Sequence, residues 1–144
     1  MAGGITIQKR GSFGIDQSIK QYASFRKTIP KIIAVNSVNH FKLGFSKGGG
    51  QTNASKSGWE ARKTNRDAGR NILIKTATLQ RDVQTLRVDF DAIVIGTSSI
   101  TNNYAMVHNE GLGSQTKREF IGDSDSLNNK NIKLIENHLD KVFR

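Results

Sequence analysis

The sequence predicts an α+β fold in which N-terminal helices and a C-terminal helix pack on a small antiparallel sheet. Three observations carry this. Apolar residues recur at helical spacing through the first third of the chain, and they do so again at its C-terminal end. Between them lie two short apolar runs rich in β-branched residues, close enough together to pair as a hairpin. At 144 residues the chain has the length of one domain and contains no internal repeat, so residues 1–144 are read as a single domain.

Residues 1–13 are Gly-rich and basic and read as a flexible arm or an edge strand, the alternation of Ile5 and Ile7 about Thr6 being the strand signal. From Ile15, apolar residues fall at Ile19, Tyr22, Phe25 and Ile29, one face of a helix. Thr28 offers a capping hydroxyl and Pro30 suits a first helical turn, so a break is expected there. A second helix would then carry Ile32, Val35, Val38, Phe41 and Phe45 on one stripe, ending near Ser46. Residues 47–70 read largely as loop. Lys47 to Ser57 is polar and Gly-rich, too polar to pack, and Arg62 to Arg70 is basic without a clean period. Trp59, the only tryptophan, is placed to pin the first of these loops to the core.

Ile72 to Ile74 is a short apolar run, and Thr76 could cap a helical turn containing Leu79. Leu86, Val88 and Phe90 alternate with Arg87 and Asp89, and Ala92 to Gly96 is continuously apolar. Together they read as an antiparallel hairpin with one strand buried on both faces. Its turn, near Asp89 to Asp91, lacks an Asn-Gly signal, so its register stays open. Thr97 to Asn103 is a polar loop, Tyr104 to Val107 a short apolar turn packed under the sheet, and Lys117 to Ile121 an extended segment. Asp123, Ser124 and Asp125 supply capping oxygens for a last helix carrying Leu127, Ile132, Ile135, Leu139, Val142 and Phe143.

Composition excludes several chemistries. With no cysteine there can be no disulfide, thiolate metal site or cysteine nucleophile. The first residues, Met1-Ala2-Gly3-Gly4, open no apolar run of signal-peptide length, and no stretch approaches the roughly 20 apolar residues of a membrane span. The expected protein is soluble, makes no membrane contact and is cytoplasmic when made. Net charge is +10 and unevenly spread: residues 1–81 hold 15 Lys/Arg against 3 Asp/Glu, and residues 82–144 hold 7 against 9. The basic half suits a polyanion, an acidic partner protein, or the weakly acidic half of a neighbouring copy.

Sites that look chemical fail on detail. Gly50 to Ser57 has the outline of a phosphate-binding loop, but Ser55 stands where glycine must precede the lysine, and a helix rather than a strand comes before it. Asp123-Ser124-Asp125 begins like a calcium loop, yet Asn128 and Leu134 replace its required glycine and glutamate. His40, His108 and His138 show no paired metal-ligand spacing, and His108 beside Glu110 reads as a hydrogen-bonded turn. No catalytic, metal or cofactor site is therefore expected.

One order of motifs carries more. Ile95-Gly96-Thr97 is followed by Tyr104-Ala105-Met106-Val107-His108-Asn109-Glu110-Gly111, then by Arg118-Glu119-Phe120-Ile121-Gly122 and an amphipathic helix. This resembles the tailed-phage virion-morphogenesis family of tail-completion proteins, which is similar in turn to the wider head–tail connector group. That family has a strand ending in Gly-Ser or Gly-Thr, then a Tyr-Ala…His-Asn…Gly motif, an Arg…Phe…Gly motif and a final helix. Upstream it has a tryptophan in a polar segment and an Ile-Leu…Gly…Leu motif, where this chain has Trp59 and Ile72 to Leu79. The resemblance spans roughly residues 30–144. Ala77 stands in place of the family's glycine, and Lys117 in place of a proline before Arg118.

The resemblance implies a non-catalytic structural protein of the virion neck, completing the tail or joining it to the head. It implies a ring, sixfold to match the tail, with other neck and tail proteins as partners. The basic residues could also line a channel for passing contact with DNA, a reading ranked below contact between copies because a conduit should not grip its cargo. Trp59, Tyr104, Ala105, His108, Gly111, Arg118, Phe120 and Gly122 would be its structural motif residues. Arg118 is expected to fork to a carboxylate of its own chain or of a neighbour. The charged loops, through Lys47, Lys56, Arg62, Lys63, Arg66 and Arg70, are the expected interface, and the polar loops are expected to order on assembly. The alternative is a basic nucleic-acid-binding module, disfavoured because the aromatic residues sit at core spacing rather than among the lysines and arginines.

Overall fold

A computed structural model describes residues 15–64, 69–74 and 77–143. The arm at 1–13, Arg66 and the expected cap Thr76 lie outside the described residues. The order is α1 (Ile15–Lys47), a 3-10 turn (Asn53–Ser55), α2 (Thr78–Asp82), β1 (Gln84–Val88), β2 (Ile93–Gly96), α3 (Asn102–Glu110) and α4 (Asp125–Phe143). The architecture is α+β: α1 packs on a two-stranded antiparallel sheet, and α4 packs along α1.

In place of the two expected N-terminal helices there is one helix of 33 residues, with Pro30 inside it. Proline removes one helical hydrogen bond and costs about 3 kcal/mol within a helix. Burial on both sides of it offsets that cost. Phe25 and Ile29 pack with Val142 of α4, and Phe41 and Phe45 enter the main core. The buried face also differs from the expected stripe. Val35 is exposed, while the small residues Ala34 and Ser37 are buried, with His40 below them. A hydrophobicity pattern favours the β-branched residue, but packing favours the small ones where another element comes close.

The main core gathers Phe41, Phe45, Leu79, Val83, Ala105, Phe120 and Leu127, with Phe45 fully buried. A second, smaller cluster joins Phe25, Ile29 and Val142, flanked by Ile33, Leu134, Ile135 and Leu139. α1 spans both.

The hairpin forms where expected, but neither strand is buried on both faces. Leu86 is 55% and Val94 43% exposed, because only one face of this two-stranded sheet meets the helices. The register pairs Thr85 with Ile95 and Arg87 with Val94, leaving Leu86 as a bulge. Asp89 closes the turn without an Asn-Gly pair. Its carboxylate accepts the N–H groups of Asp91 (3.0 Å) and Ala92 (2.7 Å), and its own N–H donates to the Ala92 carbonyl. The Ala92 N–H, followed by Arg87, holds the Asp89 carboxyl below its usual range.

The expected short apolar turn at Tyr104 is the nine-residue helix α3, in which Ala105 is buried and Tyr104 is exposed. The segment from Lys117 to Ile121 joins no strand and is held across α3 instead.

Candidate functional site

The motif residues converge at the C-terminal end of α1. There α3, the segment 117–124 and the loop 47–60 fasten to one another around Phe45. Phe120, 2% exposed, stacks its tilted ring on Phe45 at 5.3 Å between centroids. Trp59 meets Phe45 edge-on at 5.6 Å, and its indole N–H donates to the Glu119 carbonyl at 3.0 Å. Trp59 therefore does pin the Gly-rich loop, but to the motif segment as well as to the core. Gly49 makes this approach possible. Its φ is +101°, and a Cβ there would fall 2.7 Å from the Trp59 main-chain nitrogen.

Gly111 ends α3 in the left-handed conformation, with its N–H on the Val107 carbonyl. A Cβ at Gly111 would lie 2.7 Å from the Lys117 Cβ, so glycine lets the returning chain lie against the helix end. Next to it, Arg118 donates its N–H to the His108 carbonyl at 2.8 Å. The Arg118 side chain is buried and forks, but not to a carboxylate as expected. Nε and Nη2 both donate to the Glu60 carbonyl at 3.2 Å, with Ala61 at 3.5 Å. Residues 60–61 offer main-chain acceptors with no strand or helix partner, and a planar guanidinium can satisfy them together.

Asn109 is the residue that the motif assignment passed over. Its Oδ1 accepts the N–H groups of Phe120 (2.9 Å) and Ile121 (3.0 Å), and its Nδ2 donates to the Ile121 carbonyl at 3.0 Å. One amide side chain thus replaces a strand partner for the segment. The available signal was the Asn in the Tyr-Ala…His-Asn…Gly motif, since an amide carries both a donor and an acceptor.

Loop 47–58 is built, contrary to its expected inability to pack. Thr52 and Ser55 are buried and share a hydroxyl–hydroxyl bond of 2.9 Å. Asn53 exchanges bonds with Asp125, and its N–H donates to the Asp123 carbonyl at 2.6 Å. His40 Nε2 donates to the Gln51 carbonyl at 2.8 Å and lies 3.1 Å from Ser124 Oγ, which caps α4 by accepting the Leu127 N–H. A Thr…Ser pair at capping spacing was the readable sign of this turn.

His108 stands beside Arg118, edge-on to the exposed Tyr104 ring at 4.4 Å. Its Nδ1 is buried without a hydrogen-bond partner among the described residues. Burial, then the charge of Arg118, lowers its pKa from the usual histidine range. The loop 97–101 is also fastened: the Asp82 carboxylate accepts the Thr101 hydroxyl and both the N–H (2.8 Å) and hydroxyl (2.9 Å) of Ser98. Thr101, ahead of Ser98, lowers the Asp82 pKa. Gly122 abuts the folded-back Glu119 side chain rather than needing a positive φ.

The expected interface residues are not alike. Lys47, Lys56, Lys63 and Arg70 are exposed, while Arg62 is half-buried and donates to the Arg70 and Asn71 carbonyls at 2.8 Å each. Arg62 therefore closes its own loop. Among the described residues no group of three or more His, Asp or Glu is arranged to hold a metal, and no helix is long and apolar enough to cross a membrane. Comparison with models of known families, with characterised proteins and with solved structures finds no match.

Proposed function

We propose that this chain is a structural protein of the tailed-phage neck that completes the tail or joins it to the head, as a ring of six copies. It would assemble in the host cytoplasm and stay in the virion, in contact with other neck and tail proteins. The observation that carries this reading is the use made of the motif residues. Asn109, Gly111, Arg118 and Phe120 all serve to bind one chain segment to another. A constellation spent on fastening the chain suits a scaffold rather than a reaction centre.

Ala77 adds support from an independent position. It adopts φ +57° at the start of α2, a left-handed conformation that glycine takes without steric cost. The resembled family carries glycine there. The charge split supplies a means of ring closure, since head-to-tail contacts join two different faces of the subunit.

Electron microscopy of the purified protein and of virions carrying it tests the reading. Rings at the head–tail junction or tail end are expected. A dispersed monomer that binds duplex DNA with a steep salt dependence would replace it with the nucleic-acid-binding reading.

A further inference from the structure

α1 meets α4 at Phe25 and Ile29, and it meets the main core further along at Phe41 and Phe45. Another face of the helix stays open, and that face is basic. At 3.6 residues per turn, Lys20, Lys27, Lys31 and Lys42 fall within about 60° of one another, in a row about 33 Å long. The first three are exposed and Lys42 is half-buried. Lys42 Nζ donates to the Arg81 carbonyl at 3.5 Å, so the row runs on to exposed Arg81 near the end of α2. Between the lysines the same face presents Gln17, Ser24 and Thr28, all exposed. Its exposed apolar residue is Val35, and α1 places no aromatic side chain there.

Among the described residues no ion pair joins Lys20, Lys27 or Lys31 to a carboxylate. Asp16, the one acid of α1, stands in its first turn, where negative charge suits a helix N-terminus. Asp82, next to Arg81, gives its carboxylate to Ser98 and Thr101, and Asp89 pairs with Arg87. Lys27 and Lys31 are like charges one turn apart, which disfavours the helix. A bound polyanion reverses that repulsion.

We infer that this open face of α1 lies along the phosphate backbone of a nucleic-acid duplex, with Lys20, Lys27, Lys31 and Lys42 at phosphate oxygens. The make-up of the face selects the partner. A protein partner needs apolar or aromatic anchors at a desolvated centre, and Val35 alone does not supply one. Single strands are held by stacking on aromatic rings, which this face lacks. A duplex backbone asks only for cations and for hydroxyl or amide donors, which Gln17, Ser24 and Thr28 supply between the lysines. Such contact reads no sequence and slackens as salt rises, so a duplex held this way can still slide. The face is separate from the loop cations Lys47, Lys56 and Lys63, and the inference does not depend on the ring reading.

Fluorescence anisotropy with a labelled duplex of about 20 base pairs tests it, since the row spans about 10. The full chain is compared with two variants of equal charge. One is Lys20→Ala, Lys27→Ala and Lys31→Ala together; the other is Lys47→Ala, Lys56→Ala and Lys63→Ala together. All six sites are exposed, so both should fold. The unmodified chain is expected to bind, with affinity falling steeply as salt rises. The α1 variant is expected to flatten the slope of log affinity against log salt by about 3, one for each lysine lost, and the loop variant by less than about 1. Arginine at the three α1 sites should keep the slope. Equal loss in both variants would assign binding to net charge and overturn the inference, as would loss in the loop variant alone or no binding at about 50 mM salt. Displacement of the duplex by an equal charge of polyglutamate would make the partner an acidic protein and overturn it too. Light scattering judges the ring separately: a monomer that binds duplex through this face sinks the ring reading and leaves this inference standing.

Discussion

At its C-terminal end α1 is enclosed: Phe45 is fully buried, and three segments distant in sequence fasten around it through Trp59, Asn109 and Arg118. At its N-terminal end the same helix is less enclosed: Ile19 is 62% exposed, and Tyr22, stacked on Phe25, forms part of the wall of an apolar groove. The hairpin belongs to the second condition, with Leu86, Val88, Phe90 and Val94 all exposed. One end is complete within a single chain, and its hydrogen bonds are specific. The other buries less and leaves large apolar residues exposed.

This contrast can be broken first at Phe45. Phe45→Ala is expected to cost about 3–5 kcal/mol, read as a lower midpoint in urea denaturation, because Trp59 and Phe120 both lose their central contact. Next comes Asn109→Ala, with an expected loss of about 2–3 kcal/mol from the stranded main-chain groups of Phe120 and Ile121. A cost below about 0.5 kcal/mol in the same measurement would mean that the segment holds itself without the amide.

A smaller effect is expected from pH. The His108 pKa is lowered in the folded protein, so protonation favours the unfolded chain. The stability held by neutral His108 is complete above the unfolded value of about 6.5 and declines as pH falls from there through the lowered folded value. Thermal melts from pH 8 to 5 should show this decline, and His108→Phe should flatten it. A variant that keeps the full slope would assign the effect elsewhere. The smallest change is a gain. Ala77→Gly should raise stability by about 0.5–1 kcal/mol, since it relieves a left-handed alanine. A loss would show that the chain entropy of glycine outweighs that relief.

Local signals in the sequence were sound where one element decides its own form. The hairpin, the Ser124 cap and the helical form of α1 and α4 follow from spacing and residue type, though not which residues of α1 are buried. The misreadings share a cause: a contact from far along the chain. Pro30 reads as a break until α4 is placed across it. The loop around Thr52 reads as too polar to pack until Asp123, Asp125 and His40 supply partners. Arg118 reads as a carboxylate ligand because nothing local reveals that the carbonyls of Glu60 and Ala61 need donors. In the candidate site the motif residues were visible in order, but Asn109 was not singled out. Its role depends on two main-chain groups more than ten residues away.

The position of Trp59 has an optical consequence. It is the chain's single indole, and it sits against Phe45 with its N–H on the Glu119 carbonyl. Intrinsic fluorescence excited through tryptophan therefore reports on the enclosed end and is silent about the groove some turns of helix away. If copies associate as the proposed ring through surfaces away from this end, the emission maximum should stay where it was while the anisotropy rises with the slower tumbling of a larger particle. A spectrum that shifts on association would place the contact at the enclosed end instead.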